Sequence, residues 1–339
     1  MKTIVFAGGG TAGHVMPNIA LYEQLKTKYS CVYVGGDGME QNICRQRGIP
    51  FYRINTVKFR RDALLKNIGV PFKLHACVNN AKAALNEIKP DIVFSKGGYA
   101  ALPVVLAAKC PVLSHESDYS PGLATKLAKR RSAKVLCAFE PCAQKIKNGL
   151  YVGTPLMQNL YNGKRSPADY GLSGNKPILT VIGGSSGAAS LNGIITDSLP
   201  ELLKRFDVIH MTGKNKQGGQ KRAGYFPIEF ESDMAKLYAT SDVIITRAGA
   251  NALAECIALK IPTITVPLEK ASRGDQVQNA EYYGNLGAVN VMHEKDMTAR
   301  SILDALSELT NNKQKYVSAM SKIKVDGTKR IVEIIESLI

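Results

Sequence analysis

Ile244-Ile245-Thr246-Arg247-Ala248-Gly249-Ala250-Asn251-Ala252-Leu253-Ala254-Glu255 reads as an apolar strand, a small-residue turn and the start of a helix. Such a turn frees backbone N–H groups at a helix N-terminus, where a phosphate can dock. Glu255 falls a little over one turn into that helix. An ionised carboxylate there could accept hydrogen bonds from vicinal hydroxyls of a ribose. The plain alternative is an ordinary strand–turn–helix unit with a solvated glutamate, and the stretch alone does not choose.

The same unit recurs outward in both directions. Upstream, strand 177–182 runs into Gly183-Gly184-Ser185-Ser186-Gly187 and a helix over 188–203. Further strands are predicted at 207–211, 225–230, 261–266 and 288–292, with helices from about 298 onward. The first half alternates strands at 3–7, 31–34, 51–54, 91–94, 111–114 and 134–137 with segments of helical spacing. Alternation of this kind predicts parallel sheets covered by helices. Gly153 and Pro155 punctuate the middle of the chain, and the domain boundary is placed near there. Both halves thus begin strand, glycine turn, helix: two doubly wound α/β domains with a cleft between them. Their ligands are expected outside the carboxyl ends of the strands.

Composition narrows the class. The 339 residues are 45% hydrophobic and 21% charged, which supports two sizeable cores. No apolar run reaches the length of a membrane span. The N-terminus is interrupted by glycine too soon for a signal peptide. The seven cysteines show no CxxC and no zinc spacing, and are read as reduced thiols of a cytoplasmic protein. A net charge of +16 suggests an acidic partner or simply a basic, soluble surface. No RNA-recognition motif or aromatic stacking platform is recognisable, so nucleic acid is not expected.

Several turns carry candidate chemistry. Gly8-Gly9-Gly10-Thr11-Ala12-Gly13-His14 follows the first strand. Its glycines formally match G-x-G-x-x-G, but no acidic residue closes the second strand, which argues against NAD. His14 is either a general base at the mouth of a cleft or a capping and packing histidine. Ser95-Lys96-Gly97-Gly98-Tyr99-Ala100 is a second glycine turn, suited to a polar acceptor or a diphosphate, or merely a βα turn. His115-Glu116 invites a metal reading without further ligands at convincing spacing. With no Asp-x-Asp pair either, metal-independent chemistry is expected, and no cofactor. The Ser185 turn suits a diphosphate; it also matches G-x-S-x-G, for which only His210 and His293 lie downstream. Gln276 and Asn279 share a helical face and suit sugar hydroxyls. Over 56–74, Lys58, Arg60, Arg61, Lys66 and Lys73 interleave with apolar residues including Phe72. The segment fits an anionic bilayer surface or an amphipathic helix packed on the sheet.

As an ordered set, these turns resemble the MurG family of glycosyltransferases. Gly9 to His14, Gly97-Gly98-Tyr99, His115-Glu116, Val152-Gly153-Thr154-Pro155, Gly183 to Ala188, Arg247 to Glu255, and Gln276 with Asn279 follow in the family's order across essentially the whole chain. The resemblance implies a GT-B fold of two Rossmann-like domains. Residues 1–157 would bind the acceptor and associate with the membrane, and residues 158–324 would bind the UDP-sugar. A C-terminal helix over about 325–339 would return to the first domain. It implies inverting transfer of N-acetylglucosamine from UDP-GlcNAc to the C4 hydroxyl of the N-acetylmuramoyl unit of lipid I. The products are lipid II and UDP, in cell-wall biogenesis at the cytoplasmic face of the membrane. Carried across, His14 is the catalytic base. Thr11, Ala12, Gly13, Ser185, Ala250, Asn251, Glu255 and Gln276 face the donor, with Glu255 on the ribose. The backbone around Glu231 lies near uracil, and Gly97, Gly98 and Tyr99 belong to the acceptor. Two positions depart from the pattern: Asp118 stands where many members have asparagine, and Met157 where many have arginine. Neighbouring alternatives are a related transferase with another lipid acceptor, a UDP-GlcNAc 2-epimerase-like enzyme, or a nucleotide or RNA binder.

Overall fold

A computed structural model of the chain describes residues 1–57, 69–183, 189–213, 219–269 and 274–339. They fall into two compact units. Unit 1 comprises Met1–Met157 and Asp326–Ile339, and unit 2 comprises Gln158–Val325.

Unit 1 contains β1 (Thr3–Ala7), β2 (Ser30–Gly35), β3 (Phe51–Arg53), β4 (Ile92–Ser95), β5 (Val112–Glu116), β6 (Lys134–Cys137) and β7 (Gly149–Tyr151). All pair in parallel, in the order β3-β2-β1-β4-β5-β6-β7. β7 has no counterpart in the sequence reading, which treats this stretch as the approach to a boundary. Glycine makes the short strand possible, because a side chain at Gly149 would collide with the Ala143 carbonyl.

β1 shows why the sheet is buried on both faces. Successive side chains point to opposite sides of a strand. Ile4 and Phe6 join one core with Val15 and Ile19 of the helix Ala12–Leu25, while Val5 and Ala7 join the other with Ala81 and Leu85 of the helix Val70–Ile88. The last helix, Thr328–Glu336, adds Ile331, Ile334 and Ile335 to the first of these cores. Full burial of such side chains contributes roughly 1.5–3 kcal/mol each. The Gly153-Thr154-Pro155 turn docks this returning segment: Gly327 N–H donates to Thr154 O at 2.9 Å, and Leu156 N–H to Thr328 Oγ1 at 2.9 Å. Met157 packs against the same core, which gives the apolar residue a packing role at this departure from the family pattern.

Unit 2 contains β8 (Ile178–Ile182), β9 (Asp207–Met211), β10 (Tyr225–Ile228), β11 (Val243–Thr246), β12 (Thr263–Thr265) and β13 (Asn290–Val291). The order is β10-β9-β8-β11-β12-β13, again all parallel. The helix Ala299–Asn311 opens with a capping box, in which Thr298 Oγ1 accepts from Ser301 N–H at 3.1 Å. Each sheet winds outward in two directions from a central pair, β1/β4 in unit 1 and β8/β11 in unit 2. At such switch points the loops leaving the strand ends diverge and open a crevice.

Of the basic apolar segment, Lys58, Arg60, Arg61 and Lys66 lie outside the described residues. The helix Val70–Ile88 turns Cys77, Ala81 and Leu85 inward and leaves Phe72 82% exposed. Among the described residues, no helix is long and apolar enough to cross a membrane.

Candidate active site

In unit 1 the switch point brings the first two glycine turns together. β1 and β4 end in register, Ala7 opposite Ser95, and Lys96 N–H extends the ladder to Ala7 O at 2.9 Å. Gly10 and Gly98 both have positive φ, +88° and +79°, which favours glycine. A side chain at Gly10 would meet the Tyr99 ring at 2.6 Å, and one at Gly98 would meet Gly9 O at 3.0 Å. The two turns therefore stack backbone on backbone, with Tyr99 lying over Gly10.

His14 sits in the first turn of the helix Ala12–Leu25, close to the Gly98 backbone. Its Nδ1 lies 3.0 Å from Thr11 Oγ1, and the ring also hydrogen-bonds the Gly9 backbone. Thr11 is the exposed N-cap, and its side chain makes no cap hydrogen bond. Part of the residue reaches the surface, but the imidazole is desolvated. Burial first, and the Lys96 charge second, lower its pKa to about 4, against an opposing pull from Asp118. At neutral pH the ring is uncharged and able to accept a proton.

Two side chains to which the sequence reading gives no role of their own, Glu40 and Lys96, brace the strand ends here. Glu40, buried in the first turn of the helix Met39–Gln46, accepts from Gly10 N–H at 3.1 Å and Gly36 N–H at 3.2 Å. It clasps the turns after β1 and β2 together. Lys96 is 2% exposed, and its ammonium donates to Ser117 Oγ. Burial brings its pKa down to about 8, with Glu116 and Asp118 acting in the other direction. A G-G turn signals neither residue; only a long polar side chain beside buried strand ends could have drawn attention to them.

The His115-Glu116 pair is built into the sheet edge. His115 Nε2 lies 2.8 Å from Gly153 O. The Glu116 carboxylate accepts from Gly122 N–H at 2.8 Å, Thr125 Oγ1–H at 2.6 Å and Asp118 N–H at 3.2 Å. Burial raises its pKa, partly offset by those donors. Among the described residues no group of three or more His, Cys, Asp or Glu side chains gathers as a metal site.

In unit 2 the switch point presents the helix Ala250–Ala258, with Gly249 as its N-cap. Ala250 is buried as the first helical residue, and Asn251 is half-buried. The glycine N-cap has no side chain to cap this end, and the partial positive charge of a helix N-terminus suits an anion. Glu255 Oε2 accepts from Tyr238 Oη–H at 2.6 Å. Desolvation of its carboxyl raises the pKa to about 7, although the residue as a whole is only half-buried; the tyrosine donor acts in the opposite direction. Arg247 is committed to scaffolding. Its guanidinium pairs with Glu294 at 2.6 Å and donates to Ser190 Oγ at 3.1 Å and Val266 O at 3.3 Å.

Gln276 lies in the first turn of the helix Asp275–Asn285, its Oε1 accepting from Leu268 N–H at 2.9 Å. Asn279 differs from expectation. It is fully buried and donates to Ala248 O at 3.2 Å, so it braces the turn before Gly249 rather than offering its amide to a sugar. The Glu231 carboxylate accepts from Tyr170 Oη–H at 3.0 Å and Asp233 N–H at 2.8 Å. Beside it, Phe230 is 70% exposed. Ser185 and most of its glycine turn lie outside the described residues.

Residues 4–137 match the glycosyltransferase family 28 N-terminal domain, and residues 178–335 its C-terminal domain. The chain is 38% identical to a Bacillus cereus protein over 100% of this chain and 99% of that one. It is 42% identical to a Lachnospira eligens protein over 99% of each. Both relatives are named as UDP-N-acetylglucosamine–N-acetylmuramyl-(pentapeptide) pyrophosphoryl-undecaprenol N-acetylglucosamine transferases. The crystal structure of Acinetobacter baumannii MurG superposes with a TM-score of 0.75 at 25% identity, covering 99% of this chain and all of that one. A putative UDP-N-acetylglucosamine 2-epimerase from Listeria monocytogenes shares the fold at 12% identity, with a TM-score of 0.72.

Proposed function

This chain belongs to glycosyltransferase family 28, has the GT-B fold and groups with the MurG transferases, and from that premise we propose how its two units divide the reaction. It is a UDP-GlcNAc-dependent transferase that moves N-acetylglucosamine onto lipid I in peptidoglycan synthesis. The supporting observation is full-length identity to relatives so named, on a chain that places a neutral histidine at the switch point of unit 1.

Unit 1 takes the acceptor. Gly97, Gly98 and Tyr99 line its place, and His14 removes the proton of the C4 hydroxyl as that oxygen attacks the anomeric carbon. The hydrogen bonds to Thr11 and Gly9 fix the ring, and Thr11, Ala12 and Gly13 bind the donor. The attack forms the new C–O bond, breaks the bond to the UDP oxygen and inverts the anomeric centre.

Unit 2 holds the donor. The N–H groups at Ala250 and Asn251 stabilise the charge on the departing UDP, together with the Ser185 turn. Glu255 accepts the ribose hydroxyls, and Gln276 contacts the sugar. Phe230 offers an aromatic face for the pyrimidine beside the Glu231 segment. At the membrane, Phe72 inserts among lipids while Lys58, Arg60, Arg61 and Lys66 meet anionic headgroups.

A transfer assay with UDP-GlcNAc and a lipid I analogue tests the reading. Formation of the disaccharide product, lost in His14→Gln, is expected. Conversion of the donor without acceptor, or full transfer by the variant, would overturn it.

A further inference from the structure

The Tyr238–Glu255 contact in unit 2 has no place in the roles set out above. The two side chains come from the helices that flank β11 in the chain, Met234–Thr240 before it and Ala250–Ala258 after it. Asp233 caps the first helix, its carboxylate accepting from Lys236 N–H at 3.0 Å, which fixes where that helix begins. Tyr238 is 2% exposed, and a buried phenol needs a hydrogen-bond partner. Glu255 Oε2 meets that need at 2.6 Å. Burial and the neighbouring carboxyl hold the Tyr238 pKa well above its ordinary value, so the phenol keeps its proton and is the donor. A hydroxyl that donates to a carboxylate at this distance makes a strong, charge-assisted bond.

The contact orients the carboxylate. A glutamate on a helix turns about several side-chain bonds, and fixing it opposes binding through lost rotamer freedom. Here a rigid, packed ring already holds one carboxylate oxygen. Among the described residues Tyr238 is the donor to this carboxylate, through Oε2, and Glu255 as a whole is only half-buried. Oε1 is thus the oxygen left to face a diol, whose hydroxyls both donate. Burial draws Glu255 toward its protonated form, and the phenol opposes that, favouring the carboxylate that a diol needs.

Resting on the reading of Glu255 as the ribose ligand, we propose that Tyr238 is a positioning residue for the donor: its phenol holds one oxygen of the Glu255 carboxylate so that the other meets the ribose hydroxyls, and the pair sets the preference of the site for a ribonucleotide. A site built to hydrogen-bond hydroxyls rejects the analogue that lacks them, because its polar group is then left unmet. Without the phenol the carboxylate is free to turn, and the preference weakens although Tyr238 itself touches no part of the nucleotide.

The test uses the full-length protein and calorimetry with two probes, UDP and its 2′,3′-dideoxy analogue. The parent binds UDP about tenfold or more tightly than the analogue. Tyr238→Phe keeps the ring and its packing and removes the donor. Its UDP affinity falls about three- to tenfold, while its affinity for the dideoxy analogue stays within about twofold of the parent. A residue that merely supported the fold would weaken both probes alike. In a Glu255→Ala background, Tyr238→Phe changes neither affinity further. An undiminished preference for UDP in folded Tyr238→Phe, an equal loss on both probes, or the full loss repeated in the double variant overturns the proposal. Should Tyr238→Phe not fold, a crystal structure of the parent with UDP decides: Oε2 on Tyr238 and Oε1 on the ribose hydroxyls are expected, and a carboxylate that has left Tyr238 overturns it. Glu255→Ala with the parent's preference intact would sink the ribose reading itself. Loss of preference in Glu255→Ala but not in Tyr238→Phe removes only the role of Tyr238.

Discussion

At the β1/β4 switch point of unit 1 the titratable group is an imidazole whose pKa burial lowers to about 4; at β8/β11 of unit 2 it is a carboxyl raised to about 7. The strand orders around the two points correspond. Desolvation disfavours the charged form of both groups, so one low-dielectric setting moves a base and an acid in opposite directions. The consequence for chemistry is unequal. Burial leaves the His14 ring uncharged at neutral pH and draws the Glu255 carboxyl toward its protonated form. On the proposed assignment, a shared scaffold supplies the crevice and the side chain placed at its lip sets which half of the reaction that crevice serves.

The sharpest way to break this comparison is to remove each group in turn. His14→Ala should lower kcat by roughly 10²–10⁴-fold, the range for loss of a positioned general base, and leave UDP affinity close to that of the parent. Glu255→Ala should instead weaken UDP binding by about 1.5–3 kcal/mol, as for lost hydrogen bonds to a charged group. Calorimetry with UDP alone separates the two effects. If His14→Ala lost UDP binding and Glu255→Ala lost only turnover, the proposed division between units would be reversed.

A second, smaller effect comes from pH. Glu255 must ionise to accept two ribose hydroxyls, so UDP affinity should rise by up to about tenfold per pH unit below 7 and level off above it. Glu255→Gln should flatten that profile. A parent whose UDP affinity fell with rising pH across this range would contradict the role given to the carboxylate.

Stability offers a third contrast. A histidine with a lowered folded pKa leaves more protons on the unfolded chain between about pH 4 and 6.5, so stability falls as pH drops through that window. His14 and the buried His210 both contribute in this sense. Glu255 has the opposite sign: its raised folded pKa contributes stability below its unfolded value, lost as pH rises through about 7. Chemical denaturation of His210→Gln should show a shallower acid loss than the parent; an unchanged slope would remove His210 from the account.

The smallest effect expected is local to the unit 1 loop. Glu40→Gln keeps an acceptor for either Gly10 or Gly36 but loses the charge that serves both, and should cost about 1 kcal/mol of stability with a modest loss in kcat. No equivalent clasp is seen among the described residues at the Gly249 turn, where Asn279 braces the backbone from a neighbouring helix. Asn279→Ala should accordingly weaken UDP binding and leave the His14 titration unmoved, as native-state NMR would report.

These contrasts also show where the sequence is legible. Twelve of the thirteen strands follow from apolar runs ended by turn residues, and each glycine turn marks a strand end correctly because local sterics dictate it. β7 escapes because a three-residue strand containing glycine has no period to read. The roles of Lys96, Glu40 and Asn279 escape for a different reason. Each is a polar side chain whose partners lie on other elements of its unit, so burial and not local pattern gives it meaning. Asn279 was legible as a residue of interest but not as a brace, since a carboxamide on a helix face looks the same whether it meets a sugar or a carbonyl.

The helix Thr328–Glu336 has a consequence for synthesis. Ile331, Ile334 and Ile335 complete a core begun by Ile4 and Phe6, so these early residues wait on residues made after all of unit 2. The whole of Gln158–Val325 has left the ribosome before that core can close. Unit 2 is free to fold as a continuous piece of chain, while unit 1 stays open along one face of its sheet until residues 331–335 emerge. A chain ending at Val325, tethered to the ribosome by a linker long enough to clear the exit tunnel, should therefore protect unit 2 from protease and leave that face of unit 1 open to it.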